Sequence, residues 1–183
     1  MKNNSKYALA LMSAFLLSSC SHPIQEYENT SPAFNIQSYF NGDVIAWGII
    51  KNFSDKVERR FCVELNGKWQ GDNGVLAEKF YFDDGEVSYR NWALVYQSDG
   101  TYHGTAEDVE GVAVGKNKGF AFQLEYHLQL TLKDDTYLVK MNDWMYQLDK
   151  YRVMNTTTMS KLGVDVAEIT LFFDKQYEGR TCL

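Results

Sequence analysis

The sequence is poor in the residues from which most catalytic and metal sites are built. Only three histidines, three cysteines and two prolines occur among its 183 residues. It contains no Gly-x-Ser-x-Gly elbow, no phosphate-binding loop and no Cys-x-x-Cys pair. His103 and His127 stand alone in the sequence and His22 falls in a polar stretch, so we expect surface positions for all three. These scarcities predict no metal, no cofactor and no catalytic constellation.

Positive charge is also scarce. The chain carries 18 basic and 24 acidic residues, a net charge of −6. Removal of residues 1–19 takes away Lys2 and Lys6, which leaves 16 basic and 24 acidic residues and a net charge of −8. Such acidity argues against nucleic acid as a partner and against electrostatic binding to anionic lipid. Any attachment to a membrane must then come from acyl chains.

The apolar run near the amino terminus, Tyr7–Leu17, is too short for a membrane-spanning helix. Behind a positively charged start, such a run is typical of a signal peptide. Leu17-Ser18-Ser19-Cys20 is similar to the bacterial lipobox, so we predict a signal peptide at 1–19 and lipidation of Cys20 with diacylglyceryl and palmitate groups. The alternative is an ordinary secretory signal with an incidental cysteine. Ser21 stands where aspartate usually retains lipoproteins in the inner membrane, which favours the inner leaflet of the outer membrane.

The two remaining cysteines, Cys62 and Cys182, predict a disulfide, because the periplasm is oxidising. Cys62 falls between charged residues on the polar face of its strand. The carboxyl-terminal tail could therefore reach it across the outside of the domain without entering the core. The alternative is a pair of free thiols.

The most regular pattern in the chain is an alternation over Phe120–Leu132. Every even position there is apolar or aromatic, whereas Gln, Glu, His and Thr occupy most odd positions. Since side chains alternate between the two faces of a strand, the segment is predicted to be one long strand with a dry face and a wet face. Similar segments follow one another between tight turns such as Asn66-Gly67 and Asp83-Asp84-Gly85.

Nine or ten consecutive strands joined by short turns form a meander, and closing a meander removes its exposed edges. We therefore predict an all-β fold, an up-and-down antiparallel β-barrel of lipocalin-like style, with a flattened sandwich as the alternative. The barrel is expected to span residues 35–175, after a lipidated tether at 20–34 and before a tail at 176–183. A change in the phase of alternation predicts a bulge near Asn142-Asp143.

Several short motifs resemble a family of proteobacterial lipoproteins catalogued as domain of unknown function 3833. The resemblance covers about residues 34–175, and Asp-Trp-Met-Tyr at 143–146 is its most specific part. It implies an envelope location and the extent of the domain, and no activity. The residues that carry it are Ala46-Trp47-Gly48, Arg59–Val63, Gly67–Gly71, Leu76–Phe80, Arg90–Trp92, Asp143–Tyr146 and Asn155–Gly163.

Charged residues on otherwise apolar faces are the candidates for a binding site. A lone charge in a dry interior costs several kcal/mol, so it must meet a partner or a polar ligand. In a hollow barrel, inward charges would fix a polar head group while aromatic side chains hold an apolar body. The alternative is a structural network of Arg59–Glu78 and Arg90–Asp143 pairs, or cation–π packing on Trp92. The predicted ligand-binding residues are Arg59, Glu78, Arg90, Trp92, Tyr126, Asp143 and Trp144.

Three functions fit these patterns. The leading hypothesis is a periplasmic lipoprotein, anchored by lipid to the outer membrane, that binds or carries a small amphipathic or lipid-like molecule in a barrel cavity. The second is an envelope assembly or interaction scaffold with a packed barrel. A lipid-modifying enzyme, using Glu78, Asp143 or His103 as acid or base, ranks last. A hollow lumen would favour binding, whereas a lumen filled by side chains would favour the scaffold.

Overall fold

The computed structural model describes residues 22–132, 135–176 and 179–182. A 3₁₀ turn (Ile24–Tyr27) and a short helix α1 (Ile36–Tyr39) precede ten strands. The strands are β1 (Gly42–Asn52), β2 (Val57–Gln70), β3 (Asn73–Phe82), β4 (Val87–Tyr96), β5 (Thr101–Thr105), β6 (Val109–Lys118), β7 (Ala121–Leu132), β8 (Asp135–Gln147), β9 (Arg152–Lys161) and β10 (Val164–Asp174). Within the described ranges, no helix has the length and apolar character needed to cross a bilayer.

The ten strands form a closed antiparallel barrel in which each strand pairs with its neighbours in sequence, and β1 pairs with β10. This confirms the predicted up-and-down, lipocalin-like barrel, and the sandwich alternative is wrong. The tight turn predicted at Asn66-Gly67 is also wrong, because both residues lie within β2. The alternation in β7 has the predicted effect, because Phe122, Leu124, Tyr126 and Leu128 are all buried in the interior. Phe120 is the exception, since it lies in the turn before β7 and contacts Tyr27 outside the barrel.

The predicted bulge near residues 142–143 is wrong. Strand β8 pairs with β7 without a register shift along its whole length. Asp143 therefore points inward, in phase with its apolar neighbours, and Trp144 and Tyr146 point outward. The outward rings are covered by Tyr27, whose ring centroid lies 6.0 Å from that of Trp144 and 5.9 Å from that of Tyr146. Burial from outside the barrel, rather than an extra residue in the strand, explains the change of phase.

The segment predicted as a tether packs against the barrel from Ile24 onward. Ile24 and Phe34 are almost completely buried, and the Phe34 amide donates a hydrogen bond of 2.8 Å to the carbonyl of Gly119. A Cβ at Gly119 would lie 2.0 Å from the Tyr27 carbonyl oxygen, so only glycine permits this close approach. The segment therefore also covers part of the outer barrel wall, because apolar side chains are spaced along its polar sequence. Cys20, its predicted lipid-bearing residue, lies outside the described residues.

Helix α1 and Phe40 close one end of the barrel, and we call residues 34–40 the plug. The Tyr39 hydroxyl donates to the carbonyl of Tyr151 at 2.9 Å. The Lys175 ammonium donates to the carbonyls of Ser38 and Tyr39 at 3.1 and 2.7 Å. A Cβ at Gly67 would lie 1.7 Å from the Phe40 carbonyl oxygen, so glycine is required where the plug meets β2.

Cys62 and Cys182 form the predicted disulfide, with their Cα atoms 5.7 Å apart. The tail lies along the outside of β1 and β2, where the Cys182 amide donates to Glu64 at 2.9 Å. Arg180 pairs with Asp174 at 3.2 Å. The bridge therefore fastens the tail to the outer wall and leaves the interior untouched.

Candidate functional site

The barrel encloses a cavity of about 600 Å³ above the plug. This volume lies within the range of small-molecule sites, which are usually clefts of roughly 300–1,000 Å³ with mainly apolar walls. The apolar wall nearest the end of the barrel opposite the plug includes Phe61, Phe80, Phe82, Leu128, Leu130 and Met159.

One side of the barrel wall is incomplete, because β5 has only five residues. Strand β4 pairs with β5 only from Ala93 to Tyr96, and the ladder between β6 and β7 ends at Leu128. Residues 87–90 of β4 and 130–132 of β7 therefore have no strand between them. Tyr89, which is 68% exposed, lines the cavity at this point together with Leu132, which is 54% exposed. The cavity reaches the surface through this gap, which we call the lateral opening.

Arg90 and Asp108 form a bidentate ion pair at the base of the lateral opening. The Arg90 Nε and Nη2 atoms donate to the Asp108 carboxylate at 3.0 and 2.7 Å. Paired acceptors of this kind suit the planar guanidinium fork. The Arg90–Asp143 pair of the alternative structural network is not formed. The actual partner lies in the turn after β5, and the alternation of residues in strands says nothing about turns.

Asp143 is buried and accepts hydrogen bonds from the neighbouring strands. The Thr157 hydroxyl donates to it, and so does the Asn155 amide at 3.3 Å. Tyr126 also hydrogen-bonds to this carboxyl. Burial raises the pKa of Asp143, although these three hydrogen bonds and Arg90 oppose the increase. The residues around Asp143 thus form a polar island inside an apolar barrel.

Glu78 lies deep in the barrel, and part of its side chain borders the cavity. The pKa of Glu78 is raised to about 7, mainly by burial and in part by the nearby carboxylates of Asp143 and Asp108. Arg90 and a hydrogen bond from the Trp92 indole lower it. No Lys or Arg in the described part of the chain forms an ion pair with Glu78. We call Glu78, Arg90, Asp108, Tyr126, Asp143, Asn155 and Thr157 the polar cluster.

Arg59 lies apart from the polar cluster, at the end of the barrel opposite the plug. Its Nη2 atom pairs with Asp84 at 2.8 Å and with Glu86 at 2.9 Å, so the Arg59–Glu78 pair of the alternative network is not formed. The guanidinium lies 3.7 Å above the centroid of the Phe82 ring. Both acids come from the turn between β3 and β4, and this arginine therefore stabilises the rim of the barrel.

Six of the seven predicted ligand-binding residues line the cavity, and their role in binding stays a prediction. Trp144 does not, because it lies outside under Tyr27. The predicted cation–π packing is present, since the Arg90 guanidinium lies 5.9 Å from the Trp92 ring centroid. Asn155 and Thr157 were missed, although their alternation with Val153 and Met159 along β9 places them on the same inward face. His103 does not line the cavity.

Among the residues that the structure describes, no group of three or more His, Cys, Asp or Glu side chains is arranged to hold a metal ion.

Comparison with known proteins gives one family and a fold. The family described as "Protein of unknown function (DUF3833)" matches residues 14–175. Among solved structures, the barrel is similar to an S-type phycobiliprotein lyase, CPES, from Guillardia theta. That similarity has a TM-score of 0.57 at 8% identity and covers 86% of this chain and 99% of the lyase, so it supports the fold alone. No curated protein matches the chain.

Proposed function

Because the chain belongs to the DUF3833 family, whose description names no activity, we propose a function from its cavity. The protein is a lipid-anchored protein of the periplasm, held at the inner leaflet of the outer membrane. It binds or carries a small amphipathic, lipid-like molecule inside its barrel. The observation that carries this proposal is the cavity of about 600 Å³, which has apolar walls and a polar cluster deep inside.

The hollow interior favours binding over a purely structural barrel. Protein interiors are normally packed as densely as organic crystals, and a void loses the contacts of every side chain around it. A barrel that served only as a scaffold would gain stability by filling this space. The polar cluster adds a second cost, because buried carboxyl groups lose their hydration. A ligand with an apolar body and a polar end would offset both costs.

The proposed location rests on the amino-terminal sequence and on the disulfide. The Leu17–Cys20 box supplies the acceptor for the acyl groups, and Ser21 favours the outer membrane. A Cys62–Cys182 bridge suits an oxidising compartment. The Cys20→Ala variant is expected to move from the membrane fraction to the soluble periplasmic fraction. Unchanged partitioning of that variant would contradict the anchor.

Binding can be tested with the Cys20→Ala chain purified from the periplasm. Solvent extraction followed by mass spectrometry identifies any molecule that copurifies, and a neutral fluorescent probe such as N-phenyl-1-naphthylamine measures binding directly. Leu128→Trp fills the cavity from β7, and we expect it to abolish probe binding while circular dichroism stays unchanged. His127→Trp, the matched control on the exposed face of the same strand, is expected to bind normally. A wild type that binds no apolar probe at micromolar concentration would overturn the proposal.

A second candidate function is acid–base chemistry on the bound molecule. It is favoured by Glu78, whose pKa is raised to about 7 beside a cavity, because general acids and bases work best near the ambient pH. A recovered ligand that is altered by the wild type and left intact by Glu78→Gln would support this reaction. Recovery of the same intact molecule from both proteins would leave binding as the function.

A further inference from the structure

The charge inside the cavity gives information about the head group of the ligand. The polar cluster contains three carboxyl groups, those of Glu78, Asp108 and Asp143, and a single cation, Arg90. Arg59 does not balance this excess of carboxyl groups over cations, because it pairs with two other acids at the rim. The interior of the barrel is therefore acidic where a polar head group would be held.

Arg90 already has an acid as its partner, so its positive charge is not available to balance a second anion. Its Nε and Nη2 atoms are both engaged with the Asp108 carboxylate, at 3.0 and 2.7 Å. An anionic head group placed beside Arg90 would also be repelled by Glu78 and Asp143. Because charges interact more strongly in a poorly hydrated interior than in water, this repulsion acts strongly against a carboxylate or phosphate.

Glu78 has unused capacity to accept hydrogen bonds. An ionised carboxylate can accept about four hydrogen bonds, and the Trp92 indole is the donor found for Glu78 in the described residues. Asp143, by contrast, accepts from Thr157, Asn155 and Tyr126. A buried acceptor with few donors is stabilised by any ligand that brings one. Glu78 borders the cavity, so a ligand can reach it.

We propose that the cavity selects amphipathic molecules whose polar end is a hydrogen-bond donor without negative charge, a protonated primary amine above all, with Glu78 as the acceptor. This inference rests on the proposed binding function. The apolar chain would lie along Phe80, Phe82, Leu128 and Leu130, between the polar cluster and the rim. Fatty acids, which carry an anion at the polar end, are disfavoured.

The same arrangement makes binding depend on pH. Glu78 lies on β3 and has titratable and charged groups from four other elements around it. These are Arg90 on β4, with Trp92 beside it, Tyr126 on β7, Asp143 on β8 and Asp108 in the turn after β5. The pKa of Glu78 is about 7, so raising the pH from 6 to 8 converts its carboxyl group to the charged acceptor. An alkylammonium ion should then bind more tightly at pH 8, whereas an alkyl carboxylate should bind more weakly.

Competition between three molecules with the same chain tests this selectivity. Dodecylamine, dodecanol and dodecanoate are titrated, below their micelle concentrations, against N-phenyl-1-naphthylamine bound to the Cys20→Ala chain. At pH 8 we expect the amine to bind at least about tenfold more tightly than the acid, since one favourable charge contact of modest strength gives a factor of that size. The alcohol should lie between them.

Glu78→Gln is the decisive variant. It should weaken amine binding about tenfold, remove most of its dependence on pH and strengthen binding of the acid, since a neutral amide no longer attracts a cation. Glu125→Gln, on the outer face of β7, is the matched control and should leave all three affinities unchanged. Asp143→Asn, with a similar but smaller expected effect, replaces Glu78→Gln if the latter does not fold.

The outcomes separate this inference from the function on which it rests. If the neutral probe binds and the acid displaces it better than the amine, or Glu78→Gln leaves the amine affinity unchanged, the head-group inference is wrong and the binding function stands. If the wild type does not bind the neutral probe or any of the three molecules, both are wrong.

Discussion

The closed end of the barrel and its lateral opening differ in packing and in charge. At the closed end, Phe34, Tyr39 and Phe40 fill the interior, and the polar groups of the plug reach partners on distant strands. At the lateral opening, the ladder between strands is interrupted and a charged group, Arg90, points into the barrel. Stability and binding chemistry are therefore placed apart in this barrel. The residues that close the barrel are distinct from those expected to recognise a ligand.

This separation makes the two regions testable by different measurements. Substitutions in the plug should reduce the free energy of unfolding without changing selectivity among ligands. Substitutions in the polar cluster should change selectivity and pH dependence with smaller or even favourable effects on stability, because functional sites commonly retain unfavourable groups that stability alone would remove.

The largest effect is expected at the closed end. Phe40→Ala should lower the free energy of unfolding by about 4 kcal/mol, since it removes a buried aromatic ring and leaves a cavity that the plug cannot fill. Urea denaturation measures the change. Phe53→Ala, in a turn where the ring is 84% exposed, is the control and should change stability by less than about 0.5 kcal/mol. Equal losses in the two variants would contradict the assignment of the plug as the stabilising end.

The disulfide comes next and lies outside both regions. Replacing Cys62 and Cys182 together by alanine should cost about 3–4 kcal/mol, because the bridge closes a long loop with a separation of 120 residues. Probe binding of the folded variant should equal that of the wild type, since the bridge lies on the outer wall. A loss of binding at temperatures where the variant is still folded would show that the two sides of the wall are coupled.

The third effect concerns the dependence of stability on pH. Because the pKa of Glu78 is raised from 4.5 to about 7 in the folded protein, the folded state holds a proton that the unfolded chain releases between these values. Stability contributed by this group is therefore greatest at low pH and falls by about 3 kcal/mol as the pH rises from about 4.5 to 7. Glu78→Gln should remove this decrease and be more stable than the wild type at pH 8. Thermal unfolding of the wild type and of Glu78→Gln, measured between about pH 4.5 and 8, tests this dependence, with Glu125→Gln as the control.

The smallest effect on stability is expected from the ion pair at the lateral opening. Arg90→Leu should destabilise the barrel by about 1–2 kcal/mol, less than for a fully buried pair, because the side chain of Asp108 is 37% exposed and can regain water. Arg60→Leu, which breaks an exposed pair with Asp83 at 2.9 Å, should cost under about 1 kcal/mol. A loss of 4 kcal/mol or more for Arg90→Leu would mean that the opening is as important for stability as the plug.

The sequence allowed most of the barrel to be predicted, because alternation is a local signal. The pattern in β7 and the even spacing of Arg59, Glu78 and Arg90 from apolar residues placed those side chains inward. Their partners were mispredicted, since a pairing between strands depends on register and on turns. Asp108 comes from a turn, and nothing in its neighbourhood marks it as the partner of Arg90. The same limit concealed the lateral opening, which depends on where the β5 ladder stops.

Trp144 shows a second limit. Its phase in β8 indicated a buried residue, and it is covered, but by Tyr27 from outside the barrel. The alternation within one strand shows which face is buried. It does not show whether that face packs against the barrel interior or against a segment outside the barrel. Distant segments such as 24–34 decide that question.

The plug also has a consequence for the order of assembly. Tyr39 reaches a partner 112 positions later in the chain, and Lys175, which caps it, lies 136 positions away. Contacts between such distant residues cannot form until nearly the whole chain is available, and folds dominated by them are slow to form. The residues of the plug precede every strand in the sequence, yet their docking sites are complete only once β9 and β10 are in place. Until then their aromatic side chains remain exposed, so a part of the domain that is synthesised early is protected from aggregation late.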